Sequence, residues 1–575
     1  MPQYRIRMMG TRHAVAAGHY LAAQAAHQIL EAGGNVVDAG VAGGITMAVV
    51  QSDMVNFAGV APIMIRSAET GAVTTITGLG HWPKAASVDY FHREHGGRIP
   101  DCYQSAVVPA APDAWFTALE HHGTMGFGEV GSAAIALARD GFPMNRLMSD
   151  ILKQHEAEHR RWPSTAAIYF PDGKAPEEGE LFYQHDLART LQFIADEESA
   201  AAAKGGRERG LQAARDAFYR GDIAAAIVKD YAQNGGWLSR ADMAEFRVEI
   251  RPPVKVRING IEVFCCGPWC QGPVLSQTLS VLKGFDLRAL GHNSTQYIHT
   301  VVEAYKLAYA DRHHYYGDPN FVEVPIEALL SNAYAAERRR LIDPRRASPG
   351  MPEPGDPVLL GIRSAARKSA LVAETKRVRE ALDTSYICVV DAKGNAFSAT
   401  PSDASYNGPI VPGIGVAPSS RGSQSWTDPN LPACLAPGKR PRLTPMPAIA
   451  VGAEGWCMPF GSPGNDLQPQ SMGQVLLNTI VFGMTPQQAV DAPRFGTFSF
   501  PRSSDPHPYT PRLLKIEASI DESVRRELAA IGHRLEEWPA DWWEAGSVCV
   551  ATAKPATGVV ECGSDWRRPT GAFAR

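Results

Sequence analysis

The stretch that decides the fold is Asp383-Thr-Ser-Tyr-Ile-Cys-Val-Val-Asp391, followed by Ala-Lys-Gly-Asn395 and then Ala396-Phe-Ser-Ala-Thr400. Its first part is a short apolar run rich in β-branched residues, and its last part can return alongside the first. The cluster between them contains Gly394 and is typical of a turn. The sequence therefore predicts a β-hairpin with Thr384 at its mouth.

The segment before this hairpin is of a different kind. Residues 344–381 contain five prolines among Arg, Lys and Glu, and they form no sustained apolar face. Such a segment is typical of an exposed tether. We therefore expect the chain to pass from an exposed tether into a buried strand at the Asp383–Thr384 bond.

A threonine at this junction has two readings. If the peptide bond before Thr384 is cut, the residue gains a free α-amine, whose reference pKa is about 7.7–8.0. That amine can accept the hydroxyl proton near neutral pH, so one residue holds both nucleophile and general base. The alternative is a threonine that merely opens a β-strand.

A set of motifs resembles the γ-glutamyltransferase family of self-cleaving N-terminal-nucleophile hydrolases. In the family's order they are Glu31–Gly40, Ala136–Phe142, Ala308–Arg312, Gly317–Phe321, Thr384–Ser398, Gly461–Asn465, Ala492–Phe495 and Gly563–Asp565. Together they extend over nearly the whole chain, and the ordered set is far more specific than any single motif. The resemblance favours the reading of Thr384 as a nucleophile.

The resemblance also implies an architecture and a maturation step. The expected fold is α+β, the αββα four-layer sandwich of this superfamily. The Thr384 hydroxyl would attack the Asp383 carbonyl and split the chain into a large fragment, residues 1–383, and a small fragment, residues 384–575. The two fragments of such an enzyme form a heterodimer, which can pair into a heterotetramer.

Three further positions carry catalytic roles that the resemblance implies. Gly464 and Asn465, in the sequence Gly461-Ser-Pro-Gly-Asn, match the two positions whose backbone N–H groups stabilise the oxyanion. Ser402 falls where relatives have a threonine hydroxyl that assists self-cleavage, and serine keeps the hydrogen-bonding group. Without the resemblance, the first would be a common turn and the second an ordinary strand-edge serine.

The expected substrate pocket departs from the family pattern. Relatives clamp the α-carboxylate of a γ-glutamyl group with an arginine, and Leu79 best matches that position. Gln424 stands about where relatives have an aspartate that pairs with the substrate's amine. Thr444-Pro445 replaces a pair of serines. Arg421 stands where a neutral side chain is usual, so it either binds a carboxylate placed differently or is a salt-bridged loop residue.

These departures predict a different acyl group with the same reaction. We expect a small amide substrate whose acyl group bears a carboxylate, as in relatives that cleave oxamate-like, dicarboxylic monoamide or cephalosporin side chains. His81 and Trp82 would add a bulky, partly polar wall to the acyl pocket.

Three hypotheses about function follow. The first is a self-processed amidohydrolase or acyltransferase, within which a true γ-glutamyl transferase or glutathione hydrolase is the narrower alternative. The second is an unprocessed, non-catalytic binding protein of the same fold. The third is a cysteine hydrolase that uses Cys265 or Cys266; it ranks last because no helix N-terminus is evident to lower the thiol pKa.

Composition argues against other classes of protein. The chain has 575 residues, 45% hydrophobic and 20% charged, as in an ordinary soluble protein. Its net charge of −4 speaks against nucleic acid or an anionic membrane as a partner. Nine cysteines without an evident signal peptide favour free thiols in the cytoplasm. The group Cys265, Cys266 and Cys270 lacks zinc-ligand spacing, so we expect no metal and no cofactor.

Outside the hairpin, helices are expected mainly before Thr384 and strands mainly after it. Residues 14–32 are alanine-rich with apolar residues at helical spacing, and residues 35–51 read as a second, buried helix. Residues 187–232 also read as helical, whereas residues 254–264 alternate like a strand pair turned at Asn259-Gly260. After Thr384 one helix is clear, from Gln470 to Phe482.

Overall fold

The computed structural model describes residues 5–357, 374, 383–539 and 543–575. Most of the tether predicted over residues 344–381 therefore lies outside the described residues. In the described chain two seven-stranded sheets pack against each other, and helices pack on the outer face of each. This arrangement confirms the predicted α+β sandwich with four layers in the order αββα.

The strands of the described residues are β1 (Met8–Gly10), β2 (His13–Ala17), β3 (Ile63–Arg66), β4 (Val73–Ile76), β5 (Phe142–Pro143), β6 (Leu181–Phe182), β7 (Ile250–Arg251), β8 (Val254–Ile258), β9 (Ile261–Cys265), β10 (Ile387–Asp391), β11 (Ala396–Ala399), β12 (Ala448–Val451), β13 (Cys457–Gly461), β14 (Phe495–Thr497), β15 (Leu513–Glu517), β16 (Arg534–Trp538), β17 (Cys549–Lys554), β18 (Val559–Ser564) and β19 (Gly571–Ala574).

The α-helices are α1 (Tyr20–Glu31), α2 (Val36–Val50), α3 (Val88–His95), α4 (Ala111–His122), α5 (Phe127–Asp140), α6 (Arg146–Gln154), α7 (Glu156–Arg160), α8 (Pro163–Tyr169), α9 (His185–Tyr219), α10 (Asp222–Gln233), α11 (Arg240–Glu245), α12 (Gly272–Leu282), α13 (Leu287–Leu290), α14 (Thr295–Tyr315), α15 (Ile326–Leu329), α16 (Asn332–Arg339), α17 (Gln468–Ile480), α18 (Pro486–Asp491) and α19 (Glu522–Ala530). Among the described helices, none is both long enough and apolar enough to span a membrane.

The predicted hairpin lies in the middle of one large sheet. That sheet has the order β19-β2-β10-β11-β3-β4-β7, and the other has the order β1-β18-β17-β13-β12-β9-β8. β10 and β11 are antiparallel, with Ile387 opposite Ala399. The Asp391 carboxylate accepts hydrogen bonds from the amides of Lys393 and Asn395 and so stabilises the turn between them.

Both faces of this sheet are buried, which explains why its strands read as continuous apolar runs. Ile387 and Val389 point into the core shared with α1 and α2, together with Phe397. Cys388 and Val390, on the opposite face, belong to the core between the two sheets. Alternate side chains of β10 therefore enter two different cores, instead of one core and the solvent.

The helix predicted over residues 14–32 is wrong in its first six residues. Ala14 to Ala17 belong to β2, which pairs with β10 on one side and β19 on the other. The helix α1 begins only at Tyr20, after His19, whose ring accepts the amide hydrogen of Leu21. Alanine favours helices locally, but a strand buried on both faces and paired on both edges also needs small side chains. Tertiary packing prevails here.

The expected division into helices before Thr384 and strands after it is too simple. β2 and β7 join one large sheet and β1 joins the other, although all three precede Thr384. The strand pair turned at Asn259-Gly260 is confirmed. The helix predicted from Gln470 corresponds to α17, and the long helical stretch is α9 and α10, with non-helical backbone at Gly205 and Gly206 inside α9.

Candidate active site

Thr384 precedes β10 and is fully buried. Its φ is +90°, a conformation that a β-branched residue rarely adopts and that costs about 1–3 kcal/mol. The amide N–H donates to the carbonyl oxygen of Met54 over 3.0 Å, and its own carbonyl accepts from Arg568 Nη1 over 3.3 Å. The residue is therefore held at both ends in a strained backbone conformation.

The Thr384 hydroxyl lies between two side chains that can relay its proton. Thr384 Oγ1 is 2.9 Å from Asp383 Oδ1 and 2.6 Å from Ser402 Oγ. Arg421 Nη2 donates to both Asp383 Oδ2 and Ser402 Oγ. Since a guanidinium only donates and a carboxylate only accepts, the Ser402 hydrogen points to Thr384 and the Thr384 hydrogen points to Asp383.

Charge around the hydroxyl is balanced inside the protein. The Arg421 side chain is 4% exposed; it pairs with Asp383, and its Nε lies 2.9 Å from Asp403 Oδ1. Burial lowers the pKa of Arg421, but the two carboxylates outweigh that effect and raise it above its ordinary value. Burial raises the pKa of Asp403 despite the guanidinium beside it. In the uncleaved chain Arg421 is the salt-bridged loop residue that was one of its two predicted readings.

A single turn of 3₁₀-helix, Arg421–Gln424, links this cluster to a second one. Side chains three residues apart lie on the same side of such a turn, which places Gln424 beside Arg421. Gln424 Nε2 donates to Thr444 Oγ1 over 2.8 Å, and Thr444 Oγ1 donates to Asn465 Oδ1 over 3.1 Å. The turn thus connects the surroundings of Thr384 with the loop predicted to hold the oxyanion.

That loop begins where β13 ends, against β10, the strand that follows Thr384. A Cβ added to Gly461 would lie 2.2 Å from the Tyr386 ring, so only glycine permits this approach. Gly464 and Asn465 follow with φ of +113° and +51° and open the short turn Asn465–Leu467 that leads into α17. The first N–H groups of a helix have no partner within it. The role of Gly464 and Asn465 as oxyanion donors stays a prediction.

Several residues that hold this loop in place were given no role from the sequence. Gln271 Nε2 donates to the carbonyl oxygens of Thr444 and Asn465, at 2.9 and 2.8 Å, and Arg312 donates to Gln271 Oε1. Arg312 also pairs with buried Asp466. Burial raises the pKa of Asp466, but the nearby guanidinium groups outweigh it and hold the pKa well below its ordinary value. Only the position of Asp466 next to Asn465 could have signalled its importance.

The wall predicted from His81 and Trp82 is only partly found beside the turn. Trp82 Nε1 donates to Ser425 Oγ over 2.9 Å, directly after Arg421–Gln424. The His81 ring packs edge-on against Phe246, and its Nδ1 lies 3.1 Å from the Trp82 carbonyl oxygen. Burial lowers the pKa of His81. Its assignment to the substrate pocket therefore gains no support from these contacts.

The thiols are poorly placed for catalysis. Cys265 and Cys266 are buried, and burial raises the pKa of Cys265 to about 12 and that of Cys266 well above its ordinary value. A reactive cysteine needs a depressed pKa and access to solvent, so both observations disfavour the cysteine hydrolase hypothesis.

Within the described residues, two groups of side chains lie close enough to share a metal ion, and neither includes a residue of the Thr384 cluster. They are His13, His27 and Glu31, and His299, Glu303 and His533. In the second group Glu303 is paired with Lys306, and the two histidine rings are hydrogen-bonded to each other at 2.9 Å. These bonds engage Glu303 and the two facing ring nitrogens.

Comparisons with known proteins agree with this geometry. The sequence profile described as gamma-glutamyltranspeptidase matches residues 22–574. The acylase ACY 1 proenzyme of Pseudomonas sp. (strain V22) is 31% identical over 543 residues, which cover 92% of this chain and 88% of the relative. The glutathione hydrolase proenzyme of Escherichia coli (strain K12) is 29% identical over 534 residues, covering 89% and 84%. The crystal structure of cephalosporin acylase from Bacillus halodurans superposes with a TM-score of 0.85 at 27% identity, covering 100% and 98%. The chain belongs to the γ-glutamyltranspeptidase family.

Proposed function

We propose that this protein is a self-processing amidohydrolase or acyltransferase that cleaves the amide bond of a small acyl substrate through an ester on Thr384. The observation that carries the proposal is the position of Thr384 Oγ1 between Ser402 Oγ and Asp383 Oδ1, in a strained backbone. The similarity to an acylase proenzyme and a glutathione hydrolase proenzyme supports the reaction class.

The hydrogen-bond directions around Thr384 support the following steps of self-cleavage. Its Oγ1 attacks the Asp383 carbonyl carbon while the Asp383 carboxylate takes the hydroxyl proton. The C–N bond breaks, the nitrogen leaves with a proton as the α-amine of Thr384, and water hydrolyses the remaining ester. The Ser402 hydroxyl, itself held by Arg421, stabilises Oγ1 during the attack. Release of the strained φ adds driving force.

The same atoms then serve the substrate. The new α-amine accepts the Oγ1 proton as Oγ1 attacks the substrate's amide carbon. In the uncleaved chain the same nitrogen donates to the Met54 carbonyl. The amine returns that proton to the leaving nitrogen, and water or another amine takes the acyl group. Gly464 and Asn465 would supply backbone donors to the oxyanion, each typically worth about 10²–10³ in rate.

The acyl group in this proposal bears a carboxylate and is not γ-glutamyl. Leu79, which stands at the position of the family's arginine clamp, is buried among apolar side chains of the core. An aliphatic side chain cannot pair with an α-carboxylate. A charge partner is instead available on Arg421, next to the nucleophile.

We further propose two properties of the processed protein. Residues 1–383 and 384–575 stay together as a heterodimer. The protein works in a reducing compartment such as the cytoplasm, because all nine cysteines are free thiols.

Intact mass of purified wild type, Thr384→Ser and Thr384→Ala tests the proposal. Wild type should give two masses that correspond to a break between Asp383 and Thr384 and should release ammonia from carboxylated amides. Thr384→Ser should split slowly, and Thr384→Ala should remain whole and inactive.

Three outcomes would argue against the proposal. Turnover by a whole chain would contradict the mechanism. A whole, inactive wild type would favour the binding protein. Fast release of p-nitroaniline from γ-glutamyl-p-nitroanilide would favour the glutathione hydrolase alternative.

A further inference from the structure

In the uncleaved chain the Asp383 side chain already occupies a binding site for a carboxylate. Its Oδ2 accepts from Arg421 Nη2, its Oδ1 accepts from Thr384 Oγ1, and it is 2% exposed. The Arg421 side chain that holds it is buried as well, and its Nε pairs with Asp403. The Asp383 carboxylate thus joins the large fragment to two residues of the small one, Thr384 and Arg421.

The covalent structure of Asp383 sets the size of the group that fits. The carbon that Thr384 Oγ1 attacks in the proposed self-cleavage is the Asp383 carbonyl carbon. From that carbon, Cα and Cβ lead to the carboxylate carbon that reaches Arg421. The uncleaved chain thus presents a four-carbon acyl group. Its carbonyl lies at the Thr384 end and its carboxylate at the Arg421 end.

Cleavage changes the charge balance at this site. If Asp383 leaves after cleavage, Arg421 keeps Asp403 as its charged partner and Ser402 as a neutral one, and the freed α-amine of Thr384 adds a positive charge nearby when protonated. A buried guanidinium that loses one of two carboxylates is poorly stabilised. Because its 3₁₀ turn is held by the Gln424–Thr444 bonds and by Trp82 on Ser425, Arg421 keeps its place for a new anion.

We propose that Arg421 is the carboxylate subsite of the processed enzyme, that Asp383 fills it until cleavage, and that the substrate is a monoamide of a four-carbon dicarboxylic acid. This inference rests on the proposed function. The reaction converts the monoamide and water into the dicarboxylate and ammonia. The C–N bond breaks, an ester to Thr384 Oγ1 forms and is hydrolysed, and the Oγ1 proton passes through the α-amine to the leaving nitrogen.

A substrate series tests the chain length and the charge. Ammonia release by fully split wild type is measured with oxamate, malonamate, succinamate and glutaramate, and with succinamide, which has the length of succinamate but no charge. We expect kcat/KM to peak at succinamate and to exceed that of succinamide about 100-fold, as for loss of one partner of a buried charge pair. Equal rates for succinamate and succinamide, or a peak at another length, would overturn the inference while leaving the proposed function intact. A wild type that stays whole or cleaves no amide would overturn both.

A binding measurement tests the displacement of Asp383. Succinate should raise the Tm of split wild type and should leave the Tm of whole Thr384→Ala unchanged, because Asp383 still occupies the subsite there. Equal shifts in the two proteins would show that succinate binds elsewhere and would refute the inference.

Arg421 variants give the matched control. In Arg421→Gln, the ratio of kcat/KM for succinamate over succinamide should fall to about one, and Arg421→Lys should recover part of it. If Arg421→Gln does not split, its Tm with and without succinate is compared with that of split wild type. An undiminished shift or an undiminished ratio in Arg421→Gln would assign the carboxylate to another residue.

Discussion

In the proposed cleavage of the Asp383–Thr384 peptide bond, Asp383 contributes both the carboxylate that accepts the hydroxyl proton and the carbonyl carbon that is attacked. Its carboxylate is the acceptor of the Thr384 hydroxyl hydrogen, and Arg421 holds the other oxygen of that carboxylate. From the sequence, Asp383 was expected only to end the large fragment and to offer its carbonyl to attack. Its position directly before Thr384 was the available signal for a further role.

Asp383→Asn is expected to slow self-cleavage about 10²-fold or more, because the amide keeps the shape but cannot take the proton. Intact mass after timed incubation of freshly purified precursor measures the rate. Asp403→Asn is the matched control, since Asp403 also pairs with Arg421 but is not the acceptor of the Thr384 hydroxyl; its effect on the rate should be smaller. Equal rates for Asp383→Asn and wild type would exclude Asp383 as the base.

Asp53 makes the stability of the fold depend on pH. Burial raises its pKa from 3.8 to about 7, although Arg568 acts in the opposite direction. Between about pH 4 and 7 the folded chain therefore keeps a proton that the unfolded chain releases, so the free energy of unfolding falls as pH rises through this window.

Asp53→Asn should remove this loss of stability. In a Thr384→Ala background, which keeps the chain whole, the substitution should raise the Tm by several degrees more at pH 8.5 than at pH 5. Thermal unfolding at the two pH values measures the difference. The same Tm change at both pH values would contradict a protonated Asp53 in the fold.

At the scale of elements, the site depends on one close approach between the two sheets. The end of β13 reaches the start of β10 only because Gly461 has no side chain in front of Tyr386. The loop with Gly464 and Asn465 continues from that point, so its position relative to Thr384 is set by this contact.

Gly461→Ala should displace the loop. The added carbon would lie 2.2 Å from the Tyr386 ring, an overlap that costs about 1–3 kcal/mol and that a buried ring relieves only by moving. We expect a lower Tm and an amide kcat reduced at least about 10-fold. Gly131→Ala, in α5, is the control, because a Cβ there meets nothing closer than 3.6 Å. Wild-type kcat in Gly461→Ala would show that the approach is not needed for activity.

At the scale of the whole molecule, the two proposed fragments are interleaved. β10 and β11 of the small fragment lie between β2 and β3 of the large one, with hydrogen bonds along both edges. β19 of the small fragment also pairs with β2. Separation of the fragments would break these ladders and expose both cores.

The split protein should therefore behave as one particle. Gel filtration in native buffer should give a single peak that contains both fragments, and only denaturant should resolve them. The same column run on whole Thr384→Ala provides the reference elution volume. Two peaks from the split protein in native buffer would contradict this account of the sheets.

The hairpin could be predicted because its signals are local: an apolar β-branched run, a turn cluster with Gly394, and a return strand. The same holds for α2, which begins after Asn35 and is capped by that side chain. β2 could not be predicted, because nothing within Ala14 to Ala17 shows that two other strands pair with it. Likewise the sequence singled out Arg421, but its partners Asp383 and Asp403 are known only from the folded chain.

By itself, the sequence determined the position of the proposed nucleophile, the αββα architecture and the aliphatic side chain of Leu79 where the resemblance implies an arginine. These depend on residue type and on order along the chain. The tertiary structure alone decided which groups meet at Thr384, because Ser402, Arg421 and Asp403 reach its neighbourhood through loops whose course is fixed by packing across two sheets. Directed hydrogen bonds and buried ion pairs depend on distances of a few ångströms, and such distances arise only when the whole sandwich is assembled.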